Sequence, residues 1–298
     1  MRAMRSHWIE VEDVRLHVES AGEGPDVVLL HGFTGSTQSM RDVATALARH
    51  FHTLSVDLVG HGRSDAPDAL EAYALPRCTR QVAAVLDTLA PRRAHLLGYS
   101  MGGRVALALC AAQPERVASA LLVGASAGIA DANARAERRR RDAALAERIE
   151  RDGVPCFVDA WMAQPLFESQ RRRLSAAQLA AARAQRLDNR AKGLANSLRA
   201  MGAGAQEPLH DRLATLHTPV CLVAGEDDAR FRAIAADLAG RMPAARVQEV
   251  PAAGHAAHLE NPRAFLRIAR RFFDEVEAAL DRAPPRPELP SQPREVTT

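Results

Sequence analysis

Residues 97–103 read Leu-Gly-Tyr-Ser-Met-Gly-Gly and decide the fold of this chain. A short strand predicted over Ala94–Leu97 precedes them, and an Ala-rich helix predicted over Gly102–Gln113 follows. The glycines of the Gly-x-Ser-x-Gly motif let strand and helix pass close together, so Ser100 is expected on a strained turn beside a helix N-terminus. The pattern favours a nucleophile elbow over its alternative, a glycine-rich turn that contains a serine by chance.

Strands alternate with helices along most of the chain, and this predicts an α/β fold with a mostly parallel central sheet flanked by helices. The predicted strands of the parallel part are Val27–Leu30, Thr53–Val56, Ala94–Leu97, Ala118–Val123, Val220–Ala224 and Val247–Val250. The predicted helices are Ser39–Arg49, Thr79–Leu89, Gly102–Gln113, Arg230–Arg241 and Pro262–Leu280. Before them, Trp8–Val11 and Val14–Ser20 alternate in polarity, which indicates an antiparallel hairpin at a sheet edge.

Residues 128–206 carry no strand pattern. They are rich in Ala, Arg, Leu, Glu and Gln with apolar residues at helical spacing, which predicts a helical insertion. Residues 1–127 and 207–282 are then expected to form the core, with 128–206 as a helical cap. The Pro-rich, polar residues 283–298 are predicted to be a disordered tail.

The composition indicates a globular protein that acts on a small molecule. The chain has 298 residues, of which 47% are hydrophobic, so it can bury a large core. The formal net charge is only +3 and the arginines are mostly scattered, which is not the clustered charge of a nucleic-acid-binding surface. We therefore expect a small substrate and no nucleic-acid partner, and the oligomeric state is left open.

The cysteines indicate a reducing compartment. They lie far apart with no Cys-x-x-Cys pair, at Cys78, Cys110, Cys156 and Cys221. This spacing argues against a zinc site and against a disulfide framework, so a cytoplasmic location is expected. The first eight residues hold no continuous apolar stretch, and we expect neither a secretory signal nor a membrane span.

A nucleophilic serine needs a histidine to take its proton and a carboxylate to orient that histidine, and behind an elbow these follow in the order acid, then histidine. The strand Val220–Ala224 leads into Gly-Glu-Asp-Asp, from which we select Asp228, with Asp227 as the alternative. Glu226 is expected to face the following helix. The strand Val247–Val250 leads to His255, and His258 is the competing histidine.

The third requirement is an oxyanion hole, two amide groups that stabilise a developing negative oxygen. In this architecture one is the amide after the serine, here Met101, and the other comes from the turn after the third strand. That turn reads His-Gly-Phe-Thr-Gly at 31–35, so the Phe33 amide is the expected second donor. For His31 we expect a structural hydrogen bond within the loop.

Four motifs together resemble the α/β-hydrolase superfamily, over nearly the whole chain up to Leu280: residues 31–33, 57–64, 98–103 and 254–255. Within it the chain is most similar to the 2-succinyl-6-hydroxy-2,4-cyclohexadiene-1-carboxylate synthases, the pyruvate-eliminating lyases of menaquinone biosynthesis. This narrower likeness rests on the elbow and on the stretches 127–129, 142–146, 161–167, 186–189, 194–206, 225–231 and 254–260. Met40, Val59 and Ala130 depart from it, and Ala130 replaces a glutamine that would supply one substrate hydrogen bond.

The resemblance implies a small substrate with three carboxylates, and neither a metal nor an organic cofactor. Arginines suit such a substrate, because they are permanently charged and hold carboxylates in a bidentate fork. The expected substrate-binding residues are Tyr99, Arg104, Arg135, Arg138, Trp161 and Arg186. For most of the run Arg138–Arg141, a solvated helix face is the competing interpretation.

The lyase reaction needs a proton abstracted next to a carbonyl, which Ser100 would perform with the help of His255 and Asp228. Two alternatives stay open at this point. A serine hydrolase, either a carboxylesterase or a carbon–carbon bond hydrolase acting on a small acidic substrate, would use the same residues with Ser100 as nucleophile. A ligand receptor on a hydrolase scaffold would bind tightly without turnover.

Overall fold

The computed structural model describes residues 4–282, so the predicted tail over residues 283–298 lies outside the described part of the chain. Eight strands form one sheet in the order β1-β2-β4-β3-β5-β6-β7-β8. They are β1 Arg5–Val11, β2 Val14–Ala21, β3 Asp26–Leu30, β4 His52–Val56, β5 Ala94–Tyr99, β6 Val117–Val123, β7 Val220–Gly225 and β8 Ala245–Val250. The predicted edge hairpin is confirmed, since β1 pairs antiparallel with β2 at one end of the sheet.

The sheet from β4 to β8 is parallel, as the alternation of strands and helices predicts. Every residue of β6 and β7 is buried, because helices cover both faces of the sheet. Flanking helices are α1 Thr37–Leu47, α2 Leu75–Leu89, α3 Met101–Ala112, α8 Ala229–Arg241 and α10 Pro262–Arg282. One apolar cluster joins α2, α3 and α8 to one face, and a second joins α1 and α10 to the other.

The chain between β6 and β7 is helical. It forms α4 Ala132–Met162, α5 Glu168–Arg173, α6 Ala176–Leu187 and α7 Ala191–Met201. Gly153 interrupts α4 with a φ of 81°, two residues before Pro155, so α4 bends there. These helices enclose a small apolar cluster of their own, built around Ile149, Val158 and Leu194.

The carboxyl ends of the central strands meet at one edge of the sheet, where open α/β folds bind ligands. Turns 31–35, 57–64, 225–228 and 251–255 and the start of α3 all lie there. A further short helix, α9 Ala257–Glu260, follows the last of these turns. Within residues 4–282 no helix is long and apolar enough to cross a membrane.

Candidate active site

Ser100 occupies a strained turn between β5 and α3, as the motif predicts. Its φ of 50° lies in the left-handed region, which residues other than glycine rarely adopt. Its amide donates to the carbonyl oxygen of Val123 in β6, 2.8 Å away, which fixes the turn. Glycine is required on both sides, because a Cβ on Gly98 or on Gly102 would collide with neighbouring backbone.

The structure brings Ser100, His255 and Asp228 together. The Oγ of Ser100 lies 3.1 Å from Nε2 of His255, and Nδ1 of His255 lies 2.9 Å from a carboxylate oxygen of Asp228. The other oxygen of Asp228 accepts from the amide of Phe231 at 3.1 Å, so the carboxylate caps α8 and is held in place. This is the geometry of a nucleophile, a base and an orienting acid.

The alternative residues of these two loops point elsewhere. Asp227 pairs with Arg173 of α5 at 2.5 Å. The expectation for Glu226 is wrong: its carboxylate accepts from the Ala252 amide at 2.8 Å, and so it braces the loop after β8. His258 is buried in α9 with its ring centroid 4.5 Å from that of Tyr99, and burial lowers its pKa to about 3.

The turn after β3 is held by His31, which confirms its predicted structural role. Nδ1 of the imidazole donates to the carbonyl oxygen of Gly32 at 2.8 Å, and Nε2 accepts from the Leu58 amide at 3.0 Å. Burial lowers the pKa of His31, which favours this neutral form. Phe33 of the same turn and Met101 both line the cavity that contains Ser100.

That cavity has a volume of about 190 Å³ and lies between the sheet edge and the inserted helices. Eight of the residues singled out from the sequence line it: Phe33, Tyr99, Ser100, Met101, Arg104, Arg138, Trp161 and His255. Asp228 lies behind His255. The remaining wall is largely apolar and includes Leu166, Phe167, Leu198, Met201 and Phe231.

Arg104 reaches the cavity from the first turn of α3. Its Nη1 donates to the side-chain oxygen of Gln206 at 2.8 Å. Burial and, secondarily, the charge of Arg138 lower its pKa to about 10, so it stays protonated at neutral pH. Arg138 comes from α4, where its Nε donates to Asp142 at 2.8 Å.

The other two predicted arginines do not line the cavity. Arg135 turns back to donate to the carbonyl oxygens of Ile129 and Ala130, at 2.8 and 3.0 Å, and so stabilises the entry into α4. Arg186 is buried in α6 and donates to the carbonyl oxygen of Ala182 at 2.7 Å. Its charge acts on Tyr99 and His258, which places it behind the tyrosine.

One cation at the cavity is not among the residues expected from the sequence. Arg230 lines the cavity from the first turn of α8, with its guanidinium carbon 5.7 Å from the ring centroid of Phe231. The signal was its position two residues after Asp228, in a loop already assigned to the site. The cavity therefore has three arginines, and among the described residues that line it there is no aspartate or glutamate.

Nothing in the described part of the chain forms a group of three or more His, Cys, Asp or Glu side chains placed to hold a metal ion. What the arrangement offers is an activated hydroxyl in a cationic, partly apolar cavity. Such a cavity favours a small organic anion.

The chain is similar to known proteins over most of its length. Residues 25–262 match the alpha/beta hydrolase fold family. A putative 2-succinyl-6-hydroxy-2,4-cyclohexadiene-1-carboxylate synthase of Bacillus subtilis (strain 168) is 40% identical over 86% of this chain and 94% of the relative. The synthase of Serratia proteamaculans (strain 568) is 32% identical over 86% of this chain and 95% of its own.

Solved structures are also similar to this chain over most of its length. The structure of MenH from S. aureus superposes with a TM-score of 0.83 and 30% identity, over 88% of this chain and 98% of that one. The enol-lactonase from Burkholderia xenovorans LB400 superposes with a TM-score of 0.78 and 25% identity, over 90% and 100% of the two chains.

Proposed function

This chain belongs to the alpha/beta-hydrolase family and, within it, to the 2-succinyl-6-hydroxy-2,4-cyclohexadiene-1-carboxylate synthases, and from that membership we propose how its cavity works. It is a lyase of menaquinone biosynthesis. It eliminates pyruvate from 2-succinyl-5-enolpyruvyl-6-hydroxy-3-cyclohexene-1-carboxylate to give 2-succinyl-6-hydroxy-2,4-cyclohexadiene-1-carboxylate. The observation that carries the proposal for the site is a triad serine in a cavity with three arginines and no carboxylate on its wall.

The first step is a proton transfer. Ser100 abstracts the proton next to the succinyl carbonyl while His255 takes the hydroxyl proton, and Asp228 stabilises the imidazolium that forms. The carbonyl oxygen becomes an enolate oxygen, and the amides of Phe33 and Met101 are the donors we assign to it. The ring double bond then shifts, the carbon–oxygen bond to the enolpyruvyl group breaks, and pyruvate leaves as its enolate to take up a proton.

The arginines bind the carboxylates. Arg104 and Arg138 face the cavity from α3 and α4, and Arg230 faces it from α8, so positive charge surrounds the bound substrate. Tyr99 and Trp161 supply the aromatic wall. We assign structural roles to Arg135 and Arg186, since both donate to main-chain carbonyls. Residues 128–206 act as a cap over the cavity.

The test is pyruvate release from the enolpyruvyl substrate, generated in place by the enzyme that produces it. The comparison includes Ser100→Ala and an enzyme-free blank, which measures any uncatalysed release of pyruvate. Release well above the blank that disappears in Ser100→Ala supports the assignment of Ser100. Release no faster than the blank contradicts the lyase.

A serine hydrolase is the second candidate, favoured by the triad distances and by the similarity to the enol-lactonase. A hydrolase for neutral esters needs no charge clamp, so its turnover would be insensitive to Arg104→Ala. Hydrolysis of a neutral nitrophenyl ester that Arg104→Ala leaves unchanged would support a hydrolase for neutral esters. Faster, Arg104-dependent hydrolysis of an ester that carries carboxylates would support a hydrolase for small acidic substrates.

The substrate is a free small anion, and we propose a cytoplasmic location. All four cysteines are free thiols, and burial raises the pKa of the thiols of Cys78 and Cys110 to about 12. Cys156 is the exposed one. Unpaired cysteines are typical of a reducing compartment.

A further inference from the structure

Gln206 ends the inserted segment and is almost completely buried, with 1% of its surface exposed. A turn that begins at Gly202 positions it, since the amides of Ala205 and Gln206 both donate to the Gly202 carbonyl oxygen. Its side-chain oxygen accepts from Nη1 of Arg104 at 2.8 Å. A guanidinium only donates, so the oxygen must face Arg104 and the side-chain nitrogen must face away.

The side-chain nitrogen of Gln206 has no hydrogen-bond partner among the described residues. It lies against Gly128, where a Cβ would approach it to 3.2 Å. Gly128 lines the cavity. The side-chain amide of Gln206 therefore lies between Arg104 and Gly128, and these two contacts orient it.

Arg104 has no ion pair within residues 4–282, although a carboxylate is near. Asp142 acts on the charge of Arg104, but its two oxygens are engaged elsewhere. One accepts from Arg138 at 2.8 Å and the other from the Gly204 amide at 3.4 Å. The side-chain partner that Arg104 does have, Gln206, is neutral. A carboxylate in that place would bind the guanidinium more strongly and would compete with any anionic ligand.

We propose that Gln206 is a positioning residue for substrate recognition: its neutral amide orients Arg104 and leaves the guanidinium without an ion-pair partner, so that a substrate carboxylate can pair with it. The inference rests on the proposed function for the identity of the substrate. It adds that the affinity for the substrate depends on residue 206 being uncharged, as well as on its hydrogen bond to Arg104.

Two variants separate this role from a purely structural one. Gln206→Glu keeps the size and the acceptor, so a structural role predicts little loss. The proposal predicts a KM at least about tenfold higher with a smaller change in kcat, because the new carboxylate pairs with Arg104 in place of the substrate. A tenfold change corresponds to about 1.4 kcal/mol of binding free energy. Gln206→Met removes the acceptor but adds no charge, and its KM should rise less than that of Gln206→Glu.

The matched control is Gln248→Glu. It makes the same substitution on the exposed strand β8, outside the cavity wall, and should keep the wild-type KM. A KM for Gln206→Met equal to or above that of Gln206→Glu overturns the proposal. If Gln206→Glu does not fold, a Gln206→Met KM equal to that of the wild type overturns it, and a moderately raised KM with kcat retained supports it.

Binding of succinate, a simple dicarboxylate, tests the inference without turnover. Isothermal titration at fixed ionic strength should show Arg104-dependent binding by the wild type and at least about tenfold weaker binding by Gln206→Glu. Wild-type protein that takes up no succinate, or Gln206→Glu that binds it equally well, overturns the inference. Succinate binding with this pattern but no pyruvate release would instead contradict the lyase and leave the role of Gln206 standing.

Discussion

The main chain of Gly193 in α7 lies directly against the carbonyl oxygen of Gly60, in the loop after β4. Around this contact, the Gly62 amide donates to the side chain of Asn189 at 3.1 Å and the side chain of Asn196 donates to the Pro67 carbonyl at 3.2 Å. The loop after β4 is thus the platform on which the inserted helices dock. The contact tolerates no Cβ, so glycine is required at position 193.

We expect Gly193→Ala to destabilise the protein by about 1–3 kcal/mol, because the new methyl group meets rigid backbone on Gly60. Thermal unfolding and limited proteolysis of residues 128–206 measure it. Gly240→Ala in α8 is the control, since a Cβ there meets nothing within 4 Å. It should be neutral or stabilising by up to about 1 kcal/mol. Equal stability of the two variants would contradict the docking role.

We expect Arg104→Ala to lower kcat/KM for pyruvate release by about 30- to 150-fold, since a charge-assisted contact to a carboxylate is worth about 2–3 kcal/mol. The fold should be intact. Arg138→Ala should lower kcat/KM less, because Asp142 already pairs with Arg138 at 2.8 Å. Arg135→Ala should have the smallest effect, because Arg135 does not line the cavity and donates to main-chain carbonyls. An Arg135 effect as large as that of Arg138 would show that the charge clamp is assigned to the wrong residues.

Arg230 should contribute to capture of the substrate more than to the chemical step. We expect Arg230→Gln to raise KM about tenfold with kcat retained, and to weaken the salt dependence of kcat/KM. The control is Arg232→Gln on the same helix, where the arginine pairs with Glu249 at 2.9 Å on the surface. Steady-state kinetics at two ionic strengths measure both effects. Equal KM values for Arg230→Gln and Arg232→Gln would show that Arg230 does not contribute to substrate binding.

Stability should fall as the pH drops below neutrality. Burial lowers the pKa of His61 from its ordinary 6.5 to about 3. Between those two values the unfolded chain binds this proton and the folded chain does not. Each such histidine therefore costs up to about 1.4 kcal/mol per pH unit as the pH falls through that window.

Urea unfolding at several pH values measures this slope. His61→Asn should reduce it by about one proton, and the same substitution at the exposed His50 serves as the control. His258, whose pKa burial also lowers to about 3, contributes in the same window and keeps a residual slope in His61→Asn. An unchanged slope in His61→Asn would show that this imidazole is protonated in the folded state.

Several elements of the fold follow closely from the sequence. The strand predicted over Val220–Ala224 is found at Val220–Gly225, and the edge hairpin lies where the polarity alternates. The helix predicted from Thr79 begins earlier, at Leu75, because Pro76 fits the first turn of a helix and does not end one. The break of α4 at Gly153 was not predicted, although Gly153 and Pro155 signal it.

The sequence by itself determined the elbow, the order of the triad and the alternation of the sheet. These depend on local rules: glycine where backbones touch, apolar runs where a strand is covered on both faces, and a short loop after each strand. Neighbours along the chain enforce such rules, so they can be read in order.

Only the tertiary structure decided which arginines line the cavity, that Arg230 joins them, and that Gln206 is the partner of Arg104. Gln206 and Arg104 lie 102 positions apart, and the angle at which the inserted helices dock sets their contact. That angle is fixed by the contact of Gly193 with Gly60 and by hydrogen bonds to the loop after β4. Helical periodicity gives the face on which a residue lies, but not which way the helix turns that face once it is docked.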